Sequence, residues 1–237
     1  MNWLVLGDSL TYHKFTAGQE LGDAWPLLLH RRVAGLMVWQ RARRGATTRD
    51  VIKELKALIA SIGAKRSFEA MIIQIGIVDS CLRPVPQWVY KFLSSFEAGL
   101  RLCRWINANY PLLLRYYSRP WISIGEFERN LRKAVELGET LADQVVLVAI
   151  SPPHFKLVRD VPRIEEQIRR YNQVIELVAA SMKRPNVRVL NPYAGAEALE
   201  DWFLEDGYHL TKRGHEAFAA ALMPILAPPA LENACGV

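Results

Sequence analysis

The stretch Val5-Leu6-Gly7-Asp8-Ser9-Leu10 indicates the fold of the chain, because an apolar run ends there in a short polar turn. Residues 2–6 have the composition of a β-strand, and the small residues that follow them are typical of turns. Open α/β sheets bind their ligands at the carboxyl edge of the strands. The stretch therefore places Ser9, a candidate nucleophile, at the edge where such a sheet binds ligands.

A second apolar run indicates the type of sheet. Ala70-Met71-Ile72-Ile73-Gln74-Ile75 is nearly continuous and rich in β-branched residues, which suits a strand buried on both faces of a parallel sheet. Further strands are predicted at 35–40, 144–150 and 187–190, and helices at 21–34, 48–62, 127–141, 162–182 and 213–226. This alternation indicates βαβ units and a doubly wound α/β sheet. In the second helix Thr48 is the predicted cap, and the predicted buried face consists of Val51, Leu55, Leu58 and Ile62.

The composition limits the possible classes of protein. A chain of 237 residues that is 51% hydrophobic predicts one domain with a sizeable core, and it excludes global disorder. The net charge of +6 is moderate, and without a reader motif it does not predict nucleic-acid binding. Cys81, Cys103 and Cys235 are odd in number and lack metal-ligand spacing, so neither a disulfide framework nor a zinc site is expected.

The cysteine usage and the apolar runs also bear on location. Unpaired cysteines fit a reducing compartment. No signal peptide is visible, and no run approaches the roughly 20 apolar residues that span a bilayer. We therefore expect a cytoplasmic protein without a membrane span, whose tail from Pro228 frays.

Residues 84–124 interrupt the alternation and are predicted to form a helical insertion without strands. The segment is rich in aromatic side chains, and its residues 86–121 carry a net charge of +4. Because it follows a predicted strand end, a lid over the sheet edge is the preferred interpretation, and a cluster of helices that packs on itself is the alternative. The helical spacing of Trp88, Phe92 and Phe96 predicts packing rather than a binding stripe.

A second polar motif lies near the end of the chain. In Glu205-Asp206-Gly207-Tyr208-His209 an Asp stands three residues before a His, so one short loop can present both side chains together. In that arrangement His209 takes a proton from Ser9, and Asp206 fixes the imidazole tautomer.

With this motif the chain resembles the SGNH/GDSL hydrolase superfamily. The resemblance rests on four blocks in the expected order, at Gly7 to Leu10, at Gly45, at Gly76-Ile77-Val78-Asp79 and at Asp206 to His209. It implies a three-layer α/β/α, flavodoxin-like fold with a mostly parallel five-stranded sheet. It also implies an esterase or acyl-transfer mechanism with Ser9, His209 and Asp206 as catalytic residues and with no metal or organic cofactor.

One departure from the family pattern concerns the oxyanion hole. The resemblance implies donors at the backbone N–H groups of Ser9 and Gly45 and at the Asn side chain of Gly-x-Asn-Asp, a position that Val78 occupies here. Losing one such donor typically lowers kcat by about 10²–10³-fold. Three interpretations stay open: another donor such as Thr47 or a backbone N–H near Val78 replaces it, the enzyme is slow, or the acyl group goes to an acceptor other than water.

Several other residues are candidates for substrate contacts. Asp8, Asp79, Thr47 and His154 lie in or beside predicted strand ends, and His13 follows Ser9 closely. His30 and His215 are expected to be a surface residue and a structural residue. The arginines near Gly45 suit recognition of an anion, but a solvated loop is the preferred interpretation. These arginines are Arg41, Arg43, Arg44 and Arg49.

The leading functional hypothesis is a serine hydrolase that cleaves a carboxylic ester, acyl or O-acetyl, through an acyl-enzyme on Ser9. The alternative is an acyltransferase or cyclising enzyme of a biosynthetic pathway that uses the same residues on a carrier-protein-bound or anionic substrate. A binding module that lost the chemistry is a third possibility, motivated by Val78. The oligomeric state is not predicted.

Overall fold

The computed structural model describes residues 1–196 and 199–226, so the predictions for Cys235 and for the tail from Pro228 lie outside the described residues. The strands are β1 (Asn2–Gly7), β2 (Met37–Gln40), β3 (Phe68–Gln74), β4 (Leu82–Arg83), β5 (Arg119–Pro120), β6 (Ala142–Val148) and β7 (Val187–Leu190). Five of them form one parallel sheet in the order β2-β1-β3-β6-β7. β4 and β5 form a separate antiparallel ribbon.

Helices cover both faces of the sheet. They are α1 (Trp25–Arg32), α2 (Thr48–Ile62), α3 (Ile77–Ser80), α4 (Gln87–Leu93), α5 (Glu97–Ala108), α6 (Tyr110–Leu113), α7 (Ile124–Gly138), α8 (Phe155–Asp160), α9 (Ile164–Met182) and α10 (Lys212–Leu226). Side chains of α2, α7 and α9 form one core with the sheet, and those of α1 and α10 form the other. The predicted α/β class with a mostly parallel five-stranded sheet is therefore confirmed.

The centre of the sheet follows from the apolar patterning. Residues 70–73 of β3 are all buried, as expected for a strand covered on both faces. β1 lies between β2 and β3, and its register aligns Gly7 with Gln74. The turns after β1 and β3 therefore emerge side by side at one edge of the sheet, as the parallel arrangement requires.

Several helix predictions differ in detail from the structure: α7 lies three residues earlier than predicted, and α9 begins two residues later. α1 begins at Trp25 because Leu21–Asp23 form a separate 3₁₀ turn, and Pro26 lies in the first turn, where its missing N–H costs no hydrogen bond. Thr47 rather than Thr48 caps α2. Ile62 of α2 is 43% exposed because it is the last helical residue before the left-handed Gly63, so the prediction that it is buried is wrong.

The segment between β4 and β5 contains α4, α5 and α6. The prediction that residues 84–124 contain no strand is wrong. Arg119–Pro120 forms a short strand that pairs with Leu82–Arg83 and so joins the two ends of the segment. The expectation that Trp88 and Phe92 pack inside is also wrong: the side chains are 72% and 63% exposed. Phe92 packs on Phe96, itself partly exposed, with ring centroids 5.4 Å apart.

None of the helices among the described residues combines the length and the apolar character needed to cross a membrane.

Candidate active site

The structure brings Ser9, His209 and Asp206 together at the carboxyl edge of the sheet. Ser9 opens the 3₁₀ turn that follows β1, and the other two lie in the loop before α10. The distance from Ser9 Oγ to His209 Nε2 is 2.9 Å, and the distance from His209 Nδ1 to Asp206 Oδ2 is 2.8 Å. Residues 200 positions apart in sequence thus form a continuous hydrogen-bonded chain.

The loop from Asp206 to His209 holds its own side chains in place. Asp206 Oδ1 accepts a hydrogen bond from the backbone N–H of His209 at 3.1 Å, which leaves Oδ2 for the imidazole. Gly207 adopts a left-handed conformation with φ of +83°, and a residue with a β-carbon is strained there. Its carbonyl accepts from the N–H of His154, which anchors the loop to the segment after β6.

Lys14 joins this cluster, although no motif in the sequence predicted it. Its Nζ contacts Asp206 Oδ2 and lies 3.1 Å from His209 Nδ1. Partial burial raises the pKa of Asp206, but hydrogen bonds from His209 and Lys14 outweigh this and hold the pKa well below its usual range. Asp206 is therefore ionised at any pH at which the imidazole could act as a base.

The predicted oxyanion positions line the cavity that opens at Ser9. Gly45 has φ of +68° and lines the cavity together with Ser9 and Val78. Among residues 1–196 and 199–226, the backbone N–H groups of Ser9 and Gly45 donate to no backbone carbonyl. Val78 lies in the first turn of α3, is 7% exposed and offers only an apolar side chain.

A cavity of about 610 Å³ opens at Ser9. One wall comes from the sheet edge and the other from the helical segment between β4 and β5. Most of its surface consists of apolar and aromatic side chains. The remaining lining residues are Ile77, Cys81, Arg83, Tyr90, Asn107, Ala108, Tyr110, Pro111, Trp121, Leu157, Asp160, Val161 and Tyr208. The volume suits a medium-sized organic ligand.

The four residues predicted as substrate contacts are absent from the cavity lining, so that prediction finds no support here. Asp8 is fully buried, and its Oδ1 accepts from the N–H of Leu10 at 2.9 Å. Asp79 is fully buried too and accepts from Thr48 Oγ1 at 2.7 Å. Burial raises the pKa of Asp8 to about 7 and that of Asp79 to about 6.

The other two predicted contacts cap helices. The N–H and hydroxyl of Thr47 both donate to Asp50 Oδ2 at 2.9 Å in a capping arrangement at the start of α2. The His154 ring accepts from the N–H of Lys156 at the start of α8. Both side chains are thus engaged within the protein.

The remaining histidines are outside the cavity lining as well. His13 is buried and packs edge-on against Phe15. His30 is exposed, as expected. His215 is fully buried and accepts from the N–H of Trp25 at 3.4 Å, which fits the structural position expected for it. Burial lowers the pKa of His215 to about 4, so it is neutral at physiological pH.

Most arginines of the loop around Gly45 form ion pairs with carboxylates. Arg43 pairs with Asp50, Arg41 Nη1 lies 3.6 Å from Glu54 Oε1, and Arg49 forms two hydrogen bonds with Glu126. All three side chains are substantially exposed. The arrangement matches the interpretation as a solvated loop better than that as an anion site.

A family model and several solved structures resemble this chain. The model of the GDSL-like Lipase/Acylhydrolase family matches residues 5–217, which include all four sequence blocks. No curated protein sequence matches the chain significantly.

Three similar structures illustrate the fold. The lipase/acylhydrolase from Enterococcus faecalis is 19% identical, with a TM-score of 0.63 over 95% of each chain. Axe2, an acetylxylan esterase from Geobacillus stearothermophilus, is 18% identical, with a TM-score of 0.61 over 96% of this chain and 94% of that one. A lipolytic protein of the G-D-S-L family from Veillonella parvula is 13% identical, with a TM-score of 0.62 over 94% of this chain and 97% of that one. At these identities the likeness concerns the fold alone.

Proposed function

The chain belongs to the GDSL-like lipase/acylhydrolase family, as its four sequence blocks predicted, and on that premise we propose that it cleaves a carboxylic ester through an acyl-enzyme on Ser9. The observation that carries this proposal is the hydrogen-bonded chain from Ser9 Oγ through His209 to Asp206, with links of 2.9 and 2.8 Å. Both distances lie within the range in which a base can take a proton from a nucleophile.

The reaction then proceeds in two halves. His209 Nε2 removes the proton from Ser9 Oγ as the oxygen attacks the ester carbonyl, and the same proton passes to the leaving alcohol. In the second half His209 takes a proton from water, the hydroxide attacks the acyl-enzyme, and Ser9 regains a proton as the acid departs. Asp206 holds Nδ1–H and stabilises the imidazolium in both halves.

The backbone N–H groups of Ser9 and Gly45 are the proposed donors to the tetrahedral oxyanion. Val78 supplies no side-chain donor, and one missing donor typically raises the barrier by about 3–4 kcal/mol. We therefore expect slower hydrolysis than an otherwise equal site with an amide at position 78 would support.

The cavity favours a small or medium acyl or O-acetyl ester as the substrate. Its volume of about 610 Å³ lies in the ordinary range for small-molecule sites. The segment between β4 and β5, which supplies one wall, acts in this proposal as a lid that shields the acyl-enzyme from water. The thiols of Cys81 and Cys103 are free and fit a reducing compartment, so we place the enzyme in the cytoplasm.

Acyl transfer to an acceptor other than water is the second candidate. Val78 and the lid favour it. The missing donor at Val78 slows attack by water on the acyl-enzyme, and the lid shields the acyl-enzyme from water, so another acceptor has more time to react. The lid, residues 84–118, carries a net charge of +3 and exposes Trp88 and Trp105, features that suit docking of an acidic carrier protein. Product analysis after acylation in the presence of alcohols or amines separates the candidates: hydrolysis without any transfer product excludes this one.

Turnover of 4-nitrophenyl acetate and labelling by a fluorophosphonate probe test the proposed function. We expect the wild type to hydrolyse the ester and to be labelled, and Ser9→Ala to lose both. Ser61→Ala is the matched control, because Ser61 lies on α2 and donates only to the carbonyl of Leu58. Undiminished turnover by a folded Ser9→Ala variant contradicts the proposal.

A further inference from the structure

Arg83 stands out among the residues that line the cavity. It lies in the β4–β5 ribbon, at the base of the lid, and its side chain faces the same cavity as Ser9. Its guanidinium carbon lies 4.8 Å from the centroid of the Trp121 ring. This stacking fixes the plane of the guanidinium group.

No carboxylate in the described part of the chain neutralises this cation. Among residues 1–196 and 199–226, no Asp or Glu oxygen lies within ion-pair distance of Arg83, whereas Arg41, Arg43 and Arg49 all have such partners. The Nε of Arg83 is buried and lacks a hydrogen-bond partner in the described part of the chain. A largely desolvated, unpaired guanidinium is costly for the fold, so its presence calls for a partner from outside.

Arg83 carries the dominant charge of the cavity, because the other polar groups that line it are paired or neutral. Asp160 also lines the cavity, but it pairs with Arg159 at 2.7 Å. Burial raises the pKa of Tyr208 to about 12 and raises the pKa of Tyr110, so both phenols stay neutral. Tyr110 donates to the carbonyl of Leu82. The cavity is therefore electropositive at Arg83, and its lining near that charge carries hydroxyl, amide, aromatic and thiol groups, the thiol being that of Cys81.

We propose that Arg83 binds an oxyanion group of the substrate, a carboxylate or a phosphate, while Ser9 reacts with an ester carbonyl of the same molecule. The proposal rests on the proposed function of Ser9. The planar guanidinium group can present its two Nη–H groups to the two-oxygen edge of a carboxylate or phosphate. The preferred substrates are then anionic esters rather than simple fatty-acyl or neutral acetyl esters.

Matched pairs of esters test this preference. The carboxylate pair is the 4-nitrophenyl monoester of glutaric acid against 4-nitrophenyl valerate, which differ at the end of the acyl chain. The alcohol side is covered by 4-acetoxybenzoate and 4-acetoxyphenyl phosphate against phenyl acetate. Uncatalysed hydrolysis is subtracted in each case. We expect kcat/KM to be about 10- to 100-fold higher for at least one anionic ester than for its neutral partner.

Variants of Arg83 identify the source of the preference. In Arg83→Met, which keeps an extended side chain against Trp121, the anionic-to-neutral ratio falls to about one, and Arg83→Lys keeps part of it. Arg104→Met is the matched control, because Arg104 is an exposed arginine of the lid that does not line the cavity, and it keeps the wild-type ratio. A wild type that prefers no anionic ester, or a preference that survives in Arg83→Met, overturns the proposal.

Binding to the Ser9→Ala variant separates this proposal from that of catalysis. Calorimetric titration with glutarate and with inorganic phosphate shows which oxyanion the site accepts, and we expect the favoured anion to bind at least tenfold more weakly when Arg83→Met is added. If the wild type hydrolyses esters without discrimination and Ser9→Ala binds neither anion, the inference fails while the proposed function stands. If no ester is hydrolysed but anion binding depends on Arg83, the anion site stands while the proposed function fails.

Discussion

The two sides of the cavity at Ser9 differ in how they support an acyl-transfer reaction. On the side of His209, every polar atom of the Ser9–His209–Asp206 chain has a partner, and Lys14 adds a further contact to Asp206. On the side of Gly45, the cavity lining offers only the apolar side chain of Val78. In the proposed mechanism, side chains therefore provide for attack, whereas the backbone alone provides for the oxyanion. We expect the barrier to reaction to be set mainly by stabilisation of the tetrahedral intermediate.

The largest expected effect comes from removing the base. We expect His209→Gln to lower kcat at least about 10³-fold, because Ser9 Oγ loses the imidazole nitrogen that lies 2.9 Å away and takes its proton in the proposed mechanism. Steady-state kinetics with 4-nitrophenyl acetate measure it. His30→Gln, at an exposed histidine on α1, is the control and keeps wild-type activity. A loss of less than tenfold in His209→Gln means that another group activates Ser9.

The side of Gly45 and Val78 is tested by restoring the amide. We expect Val78→Asn to raise kcat for hydrolysis by about 10- to 100-fold, since the new side chain adds a donor where the family pattern has one. Val78→Leu, which adds volume but no donor, is the control and gives no gain. An unchanged rate in a folded Val78→Asn variant shows that the existing donors already complete the oxyanion hole and removes the contrast between the two sides.

Asp8, the residue before Ser9, is expected to make the free energy of unfolding depend on pH. Burial raises its pKa from 3.8 to about 7. Between those values the unfolded chain has lost this proton while the folded chain keeps it, so the free energy of unfolding falls as pH rises, by about 1.4 kcal/mol per pH unit. Asp8→Asn keeps the acceptor for Leu10 without this titration. Between pH 5 and pH 8 the free energy of unfolding of Asp8→Asn therefore rises by about 2–3 kcal/mol relative to that of the wild type.

Urea unfolding of both proteins at the two pH values measures this change. A stability difference that is the same at pH 5 and pH 8 contradicts the account of Asp8 as a carboxyl that keeps its proton in the folded protein.

The smallest expected effect concerns Lys14. Asp206 keeps its bonds to the imidazole and to the backbone N–H of His209 without the lysine, so we expect Lys14→Met to change kcat by less than about tenfold. Kinetics at pH 8 measure it. A loss above about 100-fold places Lys14 among the groups that the reaction requires, and the nucleophile side then depends on four residues rather than three.

Local pattern explains which parts of this molecule were predictable. The buried run of β3 and the turn at Ser9 are contiguous, so the central strand and the α/β class followed from them. The pairing of Ser9 with the loop of His209 came from the family's motif order, since no local pattern joins residues 200 positions apart. Ile62 and Trp88 were misplaced because helical spacing identifies an apolar face but not whether anything covers it.

Lys14 and Arg83 had no signal in the sequence. Lys14 meets Asp206 only because the turn after β1 and the loop before α10 lie at the same edge of the sheet. Arg83 enters the cavity because a two-residue strand pairs with Arg119–Pro120, and a strand that short has no periodicity to detect. Both positions depend on tertiary packing rather than on composition or spacing.

The acyl-enzyme itself provides the most direct test of the central claim. Wild-type protein mixed with excess 4-nitrophenyl acetate, quenched in acid within milliseconds to seconds and analysed by peptide mass spectrometry is predicted to carry one acetyl group on Ser9. Because Val78 offers no side-chain donor to the oxyanion, we expect both formation and decay of this species to be slow enough to follow. Turnover of the ester with no acyl group on Ser9 at any quench time, or with the acyl group on another residue, contradicts the account.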